Sequence, residues 1–280
     1  MDHNEAGVGE IQEYTSRPMP LFSMSAKTLW SYRHLVLNLV RKDIRVRYMG
    51  AALGFAWSLA NPLVITTMYL LVFTYVFPSS QPDYPLFMVT GMIHWTFFSQ
   101  VTMQSSDLLV ANSGLVKKIY FPRLLVPTAN LLTNFTLWIG AFAIYITLFA
   151  TLLGGRFTEI QLLYPFYLAL FLVVVWGLSL FLCTLFVHFR DLKHLVEVMI
   201  QVLFWATPIV YPISRVPPIP KLILSLSPMT EFILICQDLF YWRVTPTWHL
   251  TIGLLAWALI LGGGGVWLFE RRVPHLIEEL

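Results

Sequence analysis

Charge is the scarcest commodity in this 280-residue sequence: Asp, Glu, Lys and Arg together make up 12% of it. Soluble domains carry about twice that share, so too little is present to cover a surface facing water. Cysteine is nearly absent as well. Cys183 and Cys236 both lie in apolar stretches, which excludes a disulfide framework and any thiolate metal spacing. No Gly-x-x-x-x-Gly-Lys-Ser/Thr run occurs, so no Walker-type loop is available to cradle ATP phosphates. The glycines at 262–265 lack the following lysine and have apolar neighbours, which suits close helix packing instead. The acidic residues are scattered, without the clustered acid, base or metal ligands that an enzyme site needs. Residues 1–17 hold Asp2, Glu5, Glu10 and Glu13 but not the basic start and short apolar core of a signal peptide, and are expected to form a cytoplasmic tail.

What is abundant is apolar surface. Hydrophobic residues make up 57% and mean hydropathy is +0.69. Counted in bilayer crossings of about 20 apolar residues each, the chain predicts an all-α membrane protein with about six spans. The spans are expected at Leu53 to Phe77, Pro85 to Ser105, Leu124 to Leu153, Leu162 to Val187, Leu195 to Ile213 and His249 to Phe269. Asn61-Pro62 should kink the first, because proline removes a backbone donor. The second is the most polar, with Thr90, His94, Ser99, Gln100 and Gln104. The fifth carries Glu197 and Gln201 on one helix face, with Lys193 in reach of Glu197. Between the last two lies a segment from Val216 to Val244. Its apolar runs, Ile219 to Leu226 and Met229 to Phe240, are split by Ser227-Pro228 and are each too short to cross. They predict a re-entrant pair of half-helices, with a surface-lying amphipathic segment as the alternative.

The placement of the 18 basic residues orients the chain. With the N-terminus inside, Arg17, Lys27, Arg33, Arg41, Lys42, Arg45, Arg47, Lys117, Lys118, Arg123, Arg190, Lys193, Arg271 and Arg272 face the cytoplasm. Only Arg156, Arg215, Lys221 and Arg243 fall outside. Both termini are therefore expected in the cytoplasm. The domain order is a tail at 1–24, an interface helix at 25–50, a membrane domain at 51–272 and a second tail at 273–280. In the interface helix His34, Asn38, Arg41, Lys42 and Arg45 share a polar face opposite Leu29, Tyr32, Val36, Leu39 and Val40, while Arg47 falls nearer the apolar side. Such a helix lies at a membrane surface with its cations near anionic headgroups.

Two inner loops have the composition of docking surfaces. The first, Asn112 to Arg123, combines Lys117, Lys118 and Arg123 with Leu115, Ile119, Tyr120, Phe121 and Pro122, and its apolar side chains look exposed. Inward-facing positive charge explains its cations equally well. The second is the short segment His188 to His194, with Arg190, Asp191 and Lys193, which could equally be a tight turn.

In order along the chain, Arg41-Lys42-Asp43-Ile44-Arg45-Val46-Arg47-Tyr48, Leu53-Gly54-Phe55-Ala56-Trp57, Asn61-Pro62, the Lys-Lys-Ile-Tyr-Phe-Pro-Arg core ending at Arg123, Phe189-Arg190-Asp191 and Ser227-Pro228-Met229 resemble the permease subunits of type-2 ABC exporters for polysaccharide, O-antigen or teichoic acid. The resemblance covers about residues 35 to 270. It implies a homodimer joined to two separate ATPase subunits, which bind the ATP and Mg, and a bacterial inner-membrane location. It implies that Asn112, Leu115, Lys117, Lys118, Tyr120, Phe121, Pro122 and Arg123 contain the ATPase contact, with Arg190, Asp191 and Lys193 as a second. The cargo implied is a lipid-linked glycan such as O-antigen, capsule or teichoic acid; no nucleic-acid partner, metal or cofactor in this chain is expected. The alternatives are a type-2 exporter of drugs or small lipids, or an integral membrane glycolipid transferase.

Aromatic residues, 21 Phe, 12 Tyr and 10 Trp, offer flat surfaces on which sugar rings could slide. Trp57, Trp95, Phe98, Trp205 and Tyr211 are the candidates for such a pathway. Membrane-interface belts and lipid-facing Phe account for many of the same rings. His94 could line a polar path or bond to a neighbouring helix.

Overall fold

The computed structural model describes residues 30, 32–50, 56–76, 82–118, 121–151 and 155–279. Every regular element among them is helical. The helices are α1 (Arg33–Tyr48), α2 (Ala56–Leu71), α3 (Tyr84–Ser105), α4 (Leu108–Ala111), α5 (Ser113–Lys118), α6 (Leu125–Thr151), α7 (Tyr164–His188), α8 (Leu192–Ala206), α9 (Pro218–Ser225), α10 (Pro228–Gln237) and α11 (Trp248–Glu279). Three segments are long and apolar enough to cross a membrane: Leu125–Thr151, Glu159–His188 and Trp248–Arg272. They coincide with the third, fourth and last expected spans.

The other expected spans are helical but depart from a simple crossing. α2 runs on through Asn61 and Pro62, and the loss of α geometry comes later, in a π turn at Val72–Val76. α3 has 22 residues, yet its polar content keeps it out of the apolar class. α8 has 15 residues. At 1.5 Å per residue that is about 22 Å, short of a hydrocarbon core of about 30 Å.

α3 is the central pillar. It is buried on nearly every side, from Leu86, Phe87 and Met88 to Val101 and Ser105. A helix buried all round shows no amphipathic stripe, and its polar groups must find partners inside the bundle. Most do, Thr102 Oγ1 being the exception. Thr90 Oγ1 donates to Leu86 O at 2.7 Å and lies 2.7 Å from Tyr145 Oη. His94 bonds Thr90 O and Tyr164 Oη, both at 2.7 Å. Ser105 and Ser179 hydroxyls are 2.7 Å apart. His94 is thus a hydrogen-bonded interior histidine, enclosed by the rings of Trp138, Phe142, Tyr164 and Phe232.

α7 and α11 form the tightest pair, and glycine is the reason. A Cβ on Gly177 would overlap the Leu261 carbonyl, and one on Gly265 would sit 2.5 Å from Gly177 O. The glycine run therefore divides: Gly262 and Gly265 face α7, whereas Gly263 and Gly264 have nothing within 4 Å. α11 continues helical to Glu279, through the segment expected as a terminal tail.

The segment before α11 also divides unequally. α9 has no buried residue, while α10 buries Met229, Phe232, Ile233, Ile235 and Cys236. α9 and the α10 segment, extended to Trp242, are bent by 99°. Phe232 stacks on Phe171 of α7 at 3.8 Å, and Gln237 Nε2 donates to Pro208 O at 2.7 Å.

Candidate functional site

The two inner loops with the composition of docking surfaces and α1 converge on one face. The first loop is led in by Asp107 and α4, begins at Asn112, the cap of α4, and makes a second short helix, α5. Asn112 Nδ2 donates to Leu108 O at 2.9 Å, closing α4, while its Oδ1 accepts from Lys42 Nζ of α1 at 2.9 Å. The second loop is a turn from α7 into α8. Its Lys193 Nζ is 2.6 Å from Asp107 Oδ2. That hydrogen bond, and the negative charge beside it, raise the Lys193 pKa above its ordinary value. The site is thus a three-part platform in which the first loop is tied to α1 on one side and to α8 on the other.

Apolar residues root the platform. Phe121 is 6% exposed and packs with Leu108, Leu109, Val116, Leu124 and Leu125 against Leu180 and Cys183 of α7 and Val266 and Phe269 of α11. Its ring was expected at the surface; the loop's return to α6 turns it inward, where it fills the base of the tight α7–α11 pair. Leu115 is half-buried and bridges this cluster to Leu39, Val40 and Ala129, where α1 rests on α6. Lys117, Arg190 and Asp191 are exposed, Pro122 and Arg123 are half-buried, and Arg123 is engaged within the structure. The side chain of Lys118, and all of Ile119 and Tyr120, lie outside what the structure describes.

α1 does more than lie on a surface. His34, Arg41 and Arg45 are exposed, as a lipid- or partner-facing stripe requires. Arg47 is exposed too but also ties α1 to the bundle: Nη2 donates to Gln104 Oε1 at 2.7 Å and Nη1 to Asn134 Oδ1 at 3.2 Å. Asn134 Nδ2 in turn donates to Gln104 Oε1 and to Asn130 O, both at 2.9 Å. The cluster joins α1, α3 and α6. Asp107, Asn130 and Asn134 did not stand out as site residues in the sequence; the i, i+4 spacing of two asparagines at the start of an apolar helix is the signal that could have found the latter pair. Glu197 meets His194 at 3.4 Å, leaving Lys193 to Asp107.

The candidate pathway aromatics separate into two groups. Trp95 and Phe98 are buried within the chain, packed on each other and, through Trp95, on Phe204. Trp57 and Trp205 are half-exposed at 49% and 57%. Tyr211 is half-buried, its hydroxyl donating to Trp205 O at 2.8 Å. Among the described residues no group of His, Cys, Asp and Glu could hold a metal.

A family model described as ABC-2 type transporter matches residues 34–241, from α1 into the Asp238–Trp242 turn that follows α10. The chain is similar to RfbA, the O-antigen export system permease protein of Myxococcus xanthus. The two are 29% identical over 256 residues, covering 91% of this chain and 98% of that protein. It is 30% identical over 248 residues to an O-antigen export system permease protein RfbA of Klebsiella pneumoniae, covering 88% and 95%. It is 24% identical over 183 residues to the polysialic acid transport protein KpsM of Escherichia coli, covering 63% and 69%.

Proposed function

The chain belongs to the ABC-2 type transporter family, and on that premise we propose that it is the permease subunit of an ATP-driven exporter of a lipid-linked polysaccharide. The observation that carries this reading is the similarity to O-antigen export permeases over 98% and 95% of their lengths. Two copies of the chain form the path, and two separate ATP-binding subunits supply ATP and Mg. Each copy crosses the inner membrane six times with both termini in the cytoplasm, and α9 and α10 re-enter from the outer side.

The platform is the ATPase-docking face. Lys117, Arg190 and Asp191 contact the ATPase, and the rooted residues pass its movement inward. When the ATPases close on ATP, a displacement of the first loop cannot stay local. Asn112 pulls on Lys42, Asp107 pulls on Lys193, and Phe121 bears on α7 and α11. The Gly177–Gly265 contact lets α7 and α11 move as one body, because close-packed interiors transmit strain. Arg47 carries the same movement to α3 and α6. The pathway runs along surfaces that a second copy can complete, where Trp57, Trp205 and Tyr211 have area to offer a sugar chain.

Lys117→Glu combined with Arg190→Glu tests the docking face. Both side chains are exposed, so reversal leaves the core alone. Co-purification with the ATPase subunit should fall while yield and thermal stability of the permease stay unchanged. Unaltered co-purification would reject the assignment.

A further inference from the structure

The outward side of α11 carries a feature that the docking face and the export path do not use. Along this helix Leu259 and Ile260 are exposed, then Gly263 and Gly264, then Trp267, then Arg271 and Arg272. The spacing is i, i+4, i+8, so Gly263, Trp267 and Arg271 stack on one line and Gly264, Leu268 and Arg272 on the next. Gly263 and Gly264 have no neighbour within 4 Å, so the backbone is bare between two bulky steps. From Ile260 to Trp267 that notch is about 10 Å long, at 1.5 Å per residue. Below it an open cavity of about 470 Å³ is lined by Trp267, Leu268, Arg271 and Arg272. The Arg271 guanidinium lies over the Trp267 ring, 5.3 Å from its centre. Neither arginine makes an ion pair among the described residues, and Glu270, the adjacent acid, is half-buried and already engaged.

These parts have complementary chemistry. An aromatic ring parks one guanidinium by a cation–π contact and leaves its N–H edge open. A second guanidinium sits one residue on. Paired guanidinium groups suit a phosphate, which they bind through two parallel hydrogen bonds each. The bare glycines above offer room for a hydrocarbon chain against the helix, in a segment apolar enough to cross a bilayer. Phosphate below and hydrocarbon above describe one molecule.

We infer that this face of α11 is a binding site for an anionic phospholipid, with its phosphate on Arg271 and Arg272 and an acyl chain in the Gly263–Gly264 notch. The site requires only that α11 cross the bilayer, and it stands or falls apart from the export reading.

The test is native mass spectrometry of the full chain in detergent, with phosphatidylglycerol or phosphatidylethanolamine added. Phosphatidylglycerol should be retained in preference, and Arg271→Gln with Arg272→Gln should reduce that preference about thirtyfold, since each of the two cations near a membrane surface contributes about 1 kcal/mol. Gly263→Leu with Gly264→Leu is the second variant. It fills open space and raises helix propensity, so the fold survives while the notch is blocked, and phosphatidylglycerol retention should fall with it. Equal retention by wild type and both variants would overturn the site. So would displacement of the lipid by millimolar inorganic phosphate, which would reveal an anion site with no hold on the acyl chain.

Discussion

Lys193 of the α7–α8 turn and Asp107 at the head of the first loop form an ion pair at 2.6 Å. The pair joins two segments separated by more than two helices in sequence and makes them one mechanical unit. Both side chains are partly exposed, and a pair so placed contributes about 0.2–1 kcal/mol to stability. Its value lies in coupling. Asp107→Lys or Lys193→Asp should each lower permease-stimulated ATP hydrolysis with little change in melting temperature, and the exchanged double variant should recover it. A double variant as impaired as the singles would show that the two segments act independently. Because the pair raises the Lys193 pKa, its contribution on the alkaline side is kept up to the ordinary lysine value, 10.5, and fades as pH rises through the raised one.

Arg47 predicts a different outcome. It is exposed but bonds Gln104 and Asn134 at the edge of the bundle, so Arg47→Ala removes two charge-assisted hydrogen bonds and leaves the buried Asn134 Oδ1 without this donor. The cost should be about 1–3 kcal/mol, seen as a lower melting temperature in detergent. Arg41→Ala, on the exposed stripe, should leave that temperature unchanged. Equal effects would mean that Arg47 is only another surface cation.

Within the first loop, root and surface should separate cleanly. Phe121→Ala opens a cavity where α7 and α11 meet and should cost about 3–5 kcal/mol by analogy with buried phenylalanines. Lys117→Ala should spare stability and weaken ATPase binding. Scanning both variants by thermal denaturation and by pull-down checks the division. A stable Phe121→Ala would place its ring outside the core.

The glycine run gives a sharper contrast. Gly265→Leu pushes a side chain into the Gly177 carbonyl and should disrupt the α7–α11 pair, at about 1–3 kcal/mol or more. Gly263→Leu meets open space and should be tolerated. Reversed stabilities would require a different rotation of α11.

Much of this was legible in the sequence. α6, α7 and α11 follow from unbroken apolar length, because a long apolar run has few folded alternatives; the ranges of α6 and α7 match those expected, while α11 starts as expected and runs on to Glu279. The family followed from the ordered motifs between Arg41 and Met229. What sequence could not decide was direction. Phe121 stands beside three cations, and nothing local tells a docking ring from a rooting one. Trp95 and Phe98 sit on a polar helix that looks like a pathway wall but is the buried pillar, its polarity absorbed by Tyr145, Tyr164 and Ser179. Arg47 sits off the polar stripe, and only the fold shows Asn134 and Gln104 waiting for it. The glycine run suggested packing without revealing that only Gly262 and Gly265 take part.

The central claim is that this chain moves a polysaccharide when an ATPase acts on its platform. The most direct measurement reconstitutes the chain with its ATPase subunit in liposomes holding a lipid-linked polysaccharide, adds ATP outside, and follows the glycan into the lumen. The account predicts ATP-dependent arrival of glycan that stops when the ATPase is omitted or when Lys117 and Arg190 are both replaced by Glu. Glycan transfer without the ATPase, or ATP-driven transfer of small lipids with no glycan moved, would contradict it.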